Sequence, residues 1–175
     1  MGTRHMIGVI SNKKYRIAQY GQWDGYVSGQ GATVLNFLKE ADLKVFRQKL
    51  ANTFFVTKED LRQYYIEAGD SPNNTSGFVS MEIADKLKEL HPSLHRDIGG
   101  NILQHVYEST TRVPLVDNSD FIEDDTFCEF AYVIDFDQNK LLCYCWGKHL
   151  FASYDLENLP TVEQMEADYD KFEKE

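Results

Sequence analysis

The sequence predicts an α+β fold: an antiparallel sheet built from an N-terminal and a C-terminal hairpin, with a helical block packed on it. Two short strand-like segments lie before residue 21 and two more follow residue 128, each pair joined by a polar turn. Between them, apolar residues recur at helical spacing. We expect a single domain over residues 1–159. An amphipathic helix over residues 160–175 should pack on that body or on a second subunit.

The N-terminal hairpin is predicted from two segments of β-prone residues, Met6–Ile10 and Tyr15–Tyr20, around the polar turn Ser11–Lys14. The helical block then follows from apolar residues at three- and four-residue spacing, with Thr57 and Ser80 as helix-capping residues. The predicted helices cover residues 32–40, 42–51, 57–68, 80–90 and 92–107. The last contains Gly99-Gly100, where each glycine costs about 1 kcal/mol relative to alanine, so we expect a kink or a close helix crossing there.

The C-terminal hairpin is predicted from the good alternation over Glu129–Phe136, which places Phe130, Tyr132, Ile134 and Phe136 on one face. A polar turn precedes the return strand, Leu141–Trp146. The tetrapeptide that begins at Thr161 is a capping box that opens the final helix. Its apolar seam consists of Val162, Met165, Tyr169 and Phe172.

Charge limits the partners of this chain. Residues 1–50 hold eight Lys and Arg against three Asp and Glu, a formal charge of +5. Because the net charge of the chain is −10, the remaining residues carry −15. The 117–137 segment has no Lys or Arg and should be an acidic loop before its strand. An acidic chain repels nucleic-acid polymers and anionic membranes, so neither is expected as a partner. The basic first fifty residues could still hold a small anion.

Cysteine usage favours the cytoplasm. Three cysteines without a Cys-x-x-Cys pair, and no apolar run long enough to span a bilayer, predict reduced thiols in a cytosolic protein. Cys143, Cys145, His149 and the distant Cys128 have poor spacing for zinc, so no metal is expected. We expect no cofactor.

The strongest functional feature is a glycine–aromatic segment, residues 19–31, which carries three aromatic residues and four of the chain's 11 glycines. Glycine allows a ligand to approach the backbone closely, and aromatic faces offer stacking area. Trp23, Tyr20 and Tyr26 could stack on a base, while Gln19, Gln22 and Asp24 could read polar edges or ribose hydroxyls. Arg4 could hold a pyrophosphate. The predicted ligand-binding residues are Arg4, His5, Gln19, Tyr20, Gln22, Trp23, Asp24 and Tyr26. The alternative is a tight turn whose rings fill the core.

These residues also carry a resemblance. Met1-Gly2-Thr3-Arg4-His5 and the run from Ala18 to Gly31 are similar to a family of small phage, bacterial and fungal proteins. Its members open with Gly-Thr-Arg and carry a Gln-Tyr-Gly-Gln-Trp-Asp-Gly-Tyr-Pro-x-Gly-Gln-Gly stretch. The match covers about the first 31 residues and departs at Val27, where the family usually has Pro. The resemblance implies a phage or prophage context and interference with host defence, but the motif transfers no activity.

Together these observations predict a phage-type anti-defence protein that sequesters a small anionic nucleotide-derived signal, such as a cyclic ADP-ribose or cyclic nucleotide, without turnover. One alternative is a hydrolase, of the N-terminal-nucleophile or phosphodiester-cleaving type, that uses Thr3, His5 and Asp24. Another is a protein-binding inhibitor module that acts through the acidic surface. Binding is favoured over catalysis because no nucleophile is secure. The C-terminal seam is compatible with a homo-oligomer.

Overall fold

The computed structural model describes residues 2–175 and confirms the α+β class. The seven strands are β1 (His5–Ser11), β2 (Lys14–Gly21), β3 (Thr53–Phe55), β4 (Val113–Leu115), β5 (Phe130–Asp135), β6 (Lys140–Cys145) and β7 (His149–Asp155). The six helices are α1 (Ala32–Glu40), α2 (Leu43–Lys49), α3 (Lys58–Glu67), α4 (Met81–Leu90), α5 (Asn101–Glu108) and α6 (Val162–Glu173). The main sheet has the order β2-β1-β5-β6-β7.

Both predicted hairpins are present, and they meet in a way that the sequence did not indicate. Strand β1 pairs with β5 in parallel, from His5 opposite Phe130 to Ile10 opposite Asp135, so the sheet is mostly rather than wholly antiparallel. The hairpin turn at Asn12 and Lys13 has two positive φ angles, 56° and 64°, as a tight two-residue turn requires. The Asp137 carboxylate accepts hydrogen bonds from both backbone N–H groups of that turn, which joins the two hairpins.

Strand β7 and the two-stranded parallel pair β3–β4 were not predicted. Strand β7 is an edge strand with several exposed positions, and its sequence lacks a clean alternation. Strands β3 and β4 are three residues each and lie 60 positions apart in the sequence, so only the tertiary fold brings them together.

Half of the helix starts follow the predicted caps. The side chains of Thr57, Ser80 and Thr161 each accept a backbone N–H at the start of α3, α4 and α6. The predicted helix over 92–107 is wrong. A short 3₁₀ turn covers Pro92–Leu94, and α5 begins only at Asn101. The chain leaves helical geometry at His95, which is extended with a ψ of 122°, and Gly99, whose φ of +55° belongs to the left-handed region, delays the start of α5.

The sheet has a core on each face. One face packs against α1, α2, α5 and α6, and its buried side chains include Ile7, Val34, Ile102 and Tyr132. The other face, with Met6 and Ala131, is covered by the Ser119–Glu123 turn. Helix α6 lies on the body through the predicted seam, because Met165 is fully buried and the Tyr169 ring lies 5.1 Å from that of Phe130.

Candidate functional site

The glycine–aromatic segment leaves β2 at Gly21 and is fixed by backbone hydrogen bonds. The Gly25 N–H donates to the Thr3 carbonyl at 2.9 Å, and the Gln30 N–H donates to the Asp24 carbonyl at 2.7 Å. From inside the sheet, the hydroxyl of Tyr132 donates to the Gly25 carbonyl at 2.8 Å. Burial raises the pKa of Tyr132 well above its ordinary value, so the hydroxyl keeps its proton. The segment is therefore a structured loop, and its solvent-facing side chains start from a fixed backbone.

Glycines in this segment allow close approach of neighbouring groups. A Cβ on Gly21 would lie 2.1 Å from the His5 ring, and a Cβ on Gly29 would lie 2.2 Å from the Asp24 carbonyl. Neither contact is compatible with a side chain. The glycines therefore serve the packing of the loop on itself and on His5.

Two of the three predicted stacking rings face solvent. Trp23 is 50% exposed and Tyr26 is 44% exposed. The Tyr26 hydroxyl donates to the Asp24 carboxylate at 3.2 Å, and this hydrogen bond raises the pKa of Tyr26. The indole is therefore not buried in the core, and its face is available to a planar ligand.

The structure separates Tyr20 and Gln19 from these rings. Successive strand residues point to opposite faces. Tyr20 lies on the Met6 face, where its ring contacts Phe121 edge-on at 4.9 Å. Gln19 is buried on the other face, and its amide donates to the backbone carbonyl of Tyr20. Neither side chain reaches the solvent side of the loop with Trp23.

Arg4 already has partners. Its backbone N–H and its guanidinium Nε approach the Glu129 carboxylate at 2.6 Å and 3.6 Å. The guanidinium also lies over the Phe127 ring, 4.7 Å from the centroid. A ligand phosphate would have to share this cation with Glu129.

Sequence reasoning missed a second arginine at the segment. Arg96, in the turn before α5, donates to the side-chain oxygen of Gln22 at 2.6 Å, while its Nε lies 3.8 Å from Asp97. Its side chain is 65% exposed, so a guanidinium edge is open to a ligand. No sequence signal marked this residue, because 74 positions separate Arg96 from Gln22.

The predicted Thr3–His5–Asp24 trio is close in space but not hydrogen-bonded as a catalytic set. His5 is buried, and neither ring nitrogen has a hydrogen-bond partner among the described residues. Burial lowers the pKa of His5 from 6.5 to about 4, with the Thr3 backbone and Asp24 acting in the opposite direction. With so low a pKa and no hydrogen bond to a nucleophile, this imidazole is a weak general base for Thr3.

Apart from Arg4, several basic residues of the first fifty positions lie away from this segment. Lys13 is in the β1–β2 turn, Lys14 is the first residue of β2, and Arg47 of α2 lies over Phe136, just after β5 ends. We call this the Ser11 end of the sheet. The glycine–aromatic segment lies at the opposite end, the His5 end, where β1 and β5 begin. Of these four residues, only Arg4 brings positive charge to that segment.

The cysteines lie elsewhere, and one cleft, of about 380 Å³, borders the candidate site through Arg96. Cys128, Cys143 and Cys145 are buried free thiols, and burial raises the pKa of Cys145 to about 11. Within residues 2–175, no group of three or more His, Cys, Asp or Glu is placed to hold a metal ion. Five clefts of 290 to 510 Å³ are lined by residues outside the glycine–aromatic segment. No helix within that part of the chain has the length and apolarity to cross a bilayer.

Comparison with protein-family models, curated proteins and solved structures finds no match to this chain. The family resemblance of the first 31 residues therefore stays a prediction.

Proposed function

We propose that this chain binds a small anionic nucleotide-like molecule at the solvent side of the glycine–aromatic segment and holds it without converting it. The observation that carries the proposal is the half-exposed Trp23 on a loop whose backbone is fixed from both sides. Because the backbone that carries this ring is already ordered, the loop loses little further freedom when a base stacks on the ring, which favours binding.

Charge and hydrogen bonding support an anionic ligand. The exposed guanidinium of Arg96 lies beside Gln22, and Arg4 lies at the same end of the sheet. Asp24 and Tyr26 offer an acceptor and a donor suited to ribose hydroxyls. Each arginine already lies near one carboxylate, Asp97 for Arg96 and Glu129 for Arg4. Arg96 takes the larger share of the phosphate charge because its side chain is the more exposed, 65% against 34%.

Binding without turnover is the favoured form of this proposal. His5, the histidine packed against Gly21 of the segment, is buried and has no hydrogen-bonded nucleophile, and burial lowers its pKa to about 4, which makes it a weak general base at pH 7. A role in capturing a host defence signal rests on the resemblance to phage proteins, and it is part of the same proposal.

The test is capture of an intact ligand. The protein is incubated with cyclic dinucleotides and ADP-ribose derivatives, filtered, heat-denatured, and the released compound is identified by mass spectrometry. We expect a compound of unchanged mass from the wild type and at least tenfold less from Trp23→Ala. A changed mass would favour the hydrolase, and no retention of any compound would favour the protein-binding module.

The matched control is the chain's second tryptophan. Trp146 is 41% exposed in the turn between β6 and β7, so Trp146→Phe should capture the ligand like the wild type. The same variant leaves Trp23 as the single tryptophan, and quenching of its fluorescence then reports stacking directly. Equal capture by folded Trp23→Ala and Trp146→Phe would refute the site.

A further inference from the structure

A separate cleft of about 450 Å³ lies at the Ser11 end of the sheet, between α2 and the ends of β5 and β7. Its apolar surface comes from Leu43, Phe136 and Leu156, and its polar edge comes from Gln48 and Asn139. This volume is within the range of small-molecule sites, which are mostly apolar with a few placed polar groups.

The cations of this cleft are Lys44 and Arg47, which lie one turn apart on the same face of α2. Among the described residues, neither side chain forms an ion pair, and no acidic residue lines the cleft. The Arg47 guanidinium lies 5.6 Å from the Phe136 ring centroid, so charge and aromatic surface are adjacent.

Three of the acidic residues that adjoin a cleft residue in the sequence are occupied. Asp137 accepts the backbone N–H groups of Asn12 and Lys13, which hold its pKa below its usual value, with a smaller contribution from Arg47. Asp155 is paired with Lys140 at 3.1 Å. Asp42 accepts two backbone N–H groups at the start of α2. These carboxylates weaken the local positive potential but do not fill the cleft.

In another cleft of similar size, the arginine is paired with a carboxylate. The 510 Å³ cleft beside α3 also contains an arginine, Arg62, but its guanidinium is bound to Asp70. The α2 cleft therefore combines two unpaired cations with an apolar floor in a chain whose net charge is −10.

We propose that the α2 cleft is a second binding site, for a small amphipathic anion. The ligand has a flat or aliphatic apolar body, which covers Leu43, Phe136 and Leu156, and one sulfonate, carboxylate or phosphate group, which Lys44 and Arg47 bind. The site lies at the opposite end of the sheet from Trp23, so it does not depend on the function proposed above.

The test uses 1-anilinonaphthalene-8-sulfonate, a fluorescent aromatic anion, at pH 7 with the full chain. We expect saturable binding at one site per chain, weakened at least tenfold in Lys44→Gln/Arg47→Gln and weakened by 0.5 M salt. Lys39→Gln removes one charge from α1 outside the cleft and should bind like the wild type, as should Trp23→Ala. Circular dichroism verifies the fold of each variant, and the single variant Arg47→Gln replaces the double variant if the latter unfolds.

Competition separates the two kinds of ligand body. Displacement by 1-naphthyl phosphate indicates an aromatic ligand, and displacement by decanoate indicates an aliphatic one. Displacement by neither compound would overturn the proposal, as would unsaturable dye binding. Equal binding by the folded double variant and by Lys39→Gln would also overturn it.

Discussion

The side-chain oxygen Oε1 of Gln30 accepts a hydrogen bond from the Gly100 N–H at 2.8 Å. This bond joins the glycine–aromatic segment to the start of α5 across 70 positions of sequence. A Cβ on Gly99 or Gly100 would lie 2.8 or 2.9 Å from the Gln30 amide, so the two glycines make room for this side chain. Gly99 and Gly100, which the sequence placed inside a predicted helix, form the backbone against which the Gln30 side chain packs.

Gln30→Ala should therefore lower stability. The substitution leaves the buried Gly100 N–H without its acceptor, which costs about 1–3 kcal/mol. Urea denaturation measures the change in the free energy of unfolding. Gln63→Ala removes an exposed glutamine from α3 and should cost much less. Equal losses in the two variants would contradict the proposed role of Gln30.

The sequence predicted what local patterns encode. Caps at Thr57, Ser80 and Thr161, and the strand segments and turns of both hairpins, depend on neighbours within a few residues, and the structure contains them. The parallel β1–β5 pairing and the β3–β4 pairing depend on distant contacts, so they could not be predicted.

In the candidate site, too, local features could be predicted from the sequence and contacts between distant residues could not. That Trp23 and Tyr26 share one loop follows from the sequence, but their exposure does not. Strand alternation could have separated Gln19 from Tyr20, because adjacent strand residues point to opposite faces. The Arg96–Gln22 contact had no local signal.

His5 should make stability depend on pH. Its pKa falls from 6.5 to about 4 in the folded protein because the ring is buried. Between these values the unfolded chain binds a proton that the folded chain does not, so stability decreases as pH falls from 6.5 towards 4 and is unaffected above 6.5. The decrease is about 3 kcal/mol, at 1.36 kcal/mol for each pKa unit.

Urea denaturation of wild type and His5→Leu at several pH values isolates this contribution from that of the carboxylates. As the pH falls from 6.5 towards 4, the free energy of unfolding of the wild type should decrease more than that of His5→Leu. His149→Gln alters an exposed histidine and should keep the wild-type slope. A constant difference between wild type and His5→Leu from pH 7 to pH 4 would exclude the role of His5.

Tyr132→Phe should loosen the glycine–aromatic segment. The change removes the hydroxyl that donates to the buried Gly25 carbonyl at 2.8 Å, so the loss should be about 1–3 kcal/mol. Hydrogen exchange of the Gly25 amide, which donates to Thr3, should speed up as well. Tyr15→Phe changes a half-buried tyrosine elsewhere in the sheet and should leave that amide protected. Equal protection of the Gly25 amide in both variants would show that the Tyr132 hydroxyl does not stabilise the loop.

Arg96 and Arg4 should differ in their effect on ligand capture at the glycine–aromatic segment. Each guanidinium lies near one carboxylate, Asp97 at 3.8 Å and Glu129 at 3.6 Å, but the Arg96 side chain is 65% exposed and the Arg4 side chain only 34%. Arg96→Gln should therefore weaken capture at least tenfold and Arg4→Gln by less. Glu129→Gln should strengthen capture, because it frees the Arg4 guanidinium for a phosphate without removing the Phe127 contact. Isothermal titration with whichever compound is retained in the capture experiment measures all three affinities. Weaker capture by folded Glu129→Gln would mean that the carboxylate positions Arg4 for the ligand. Arg4 would then contribute more to ligand affinity than Arg96, contrary to the proposal.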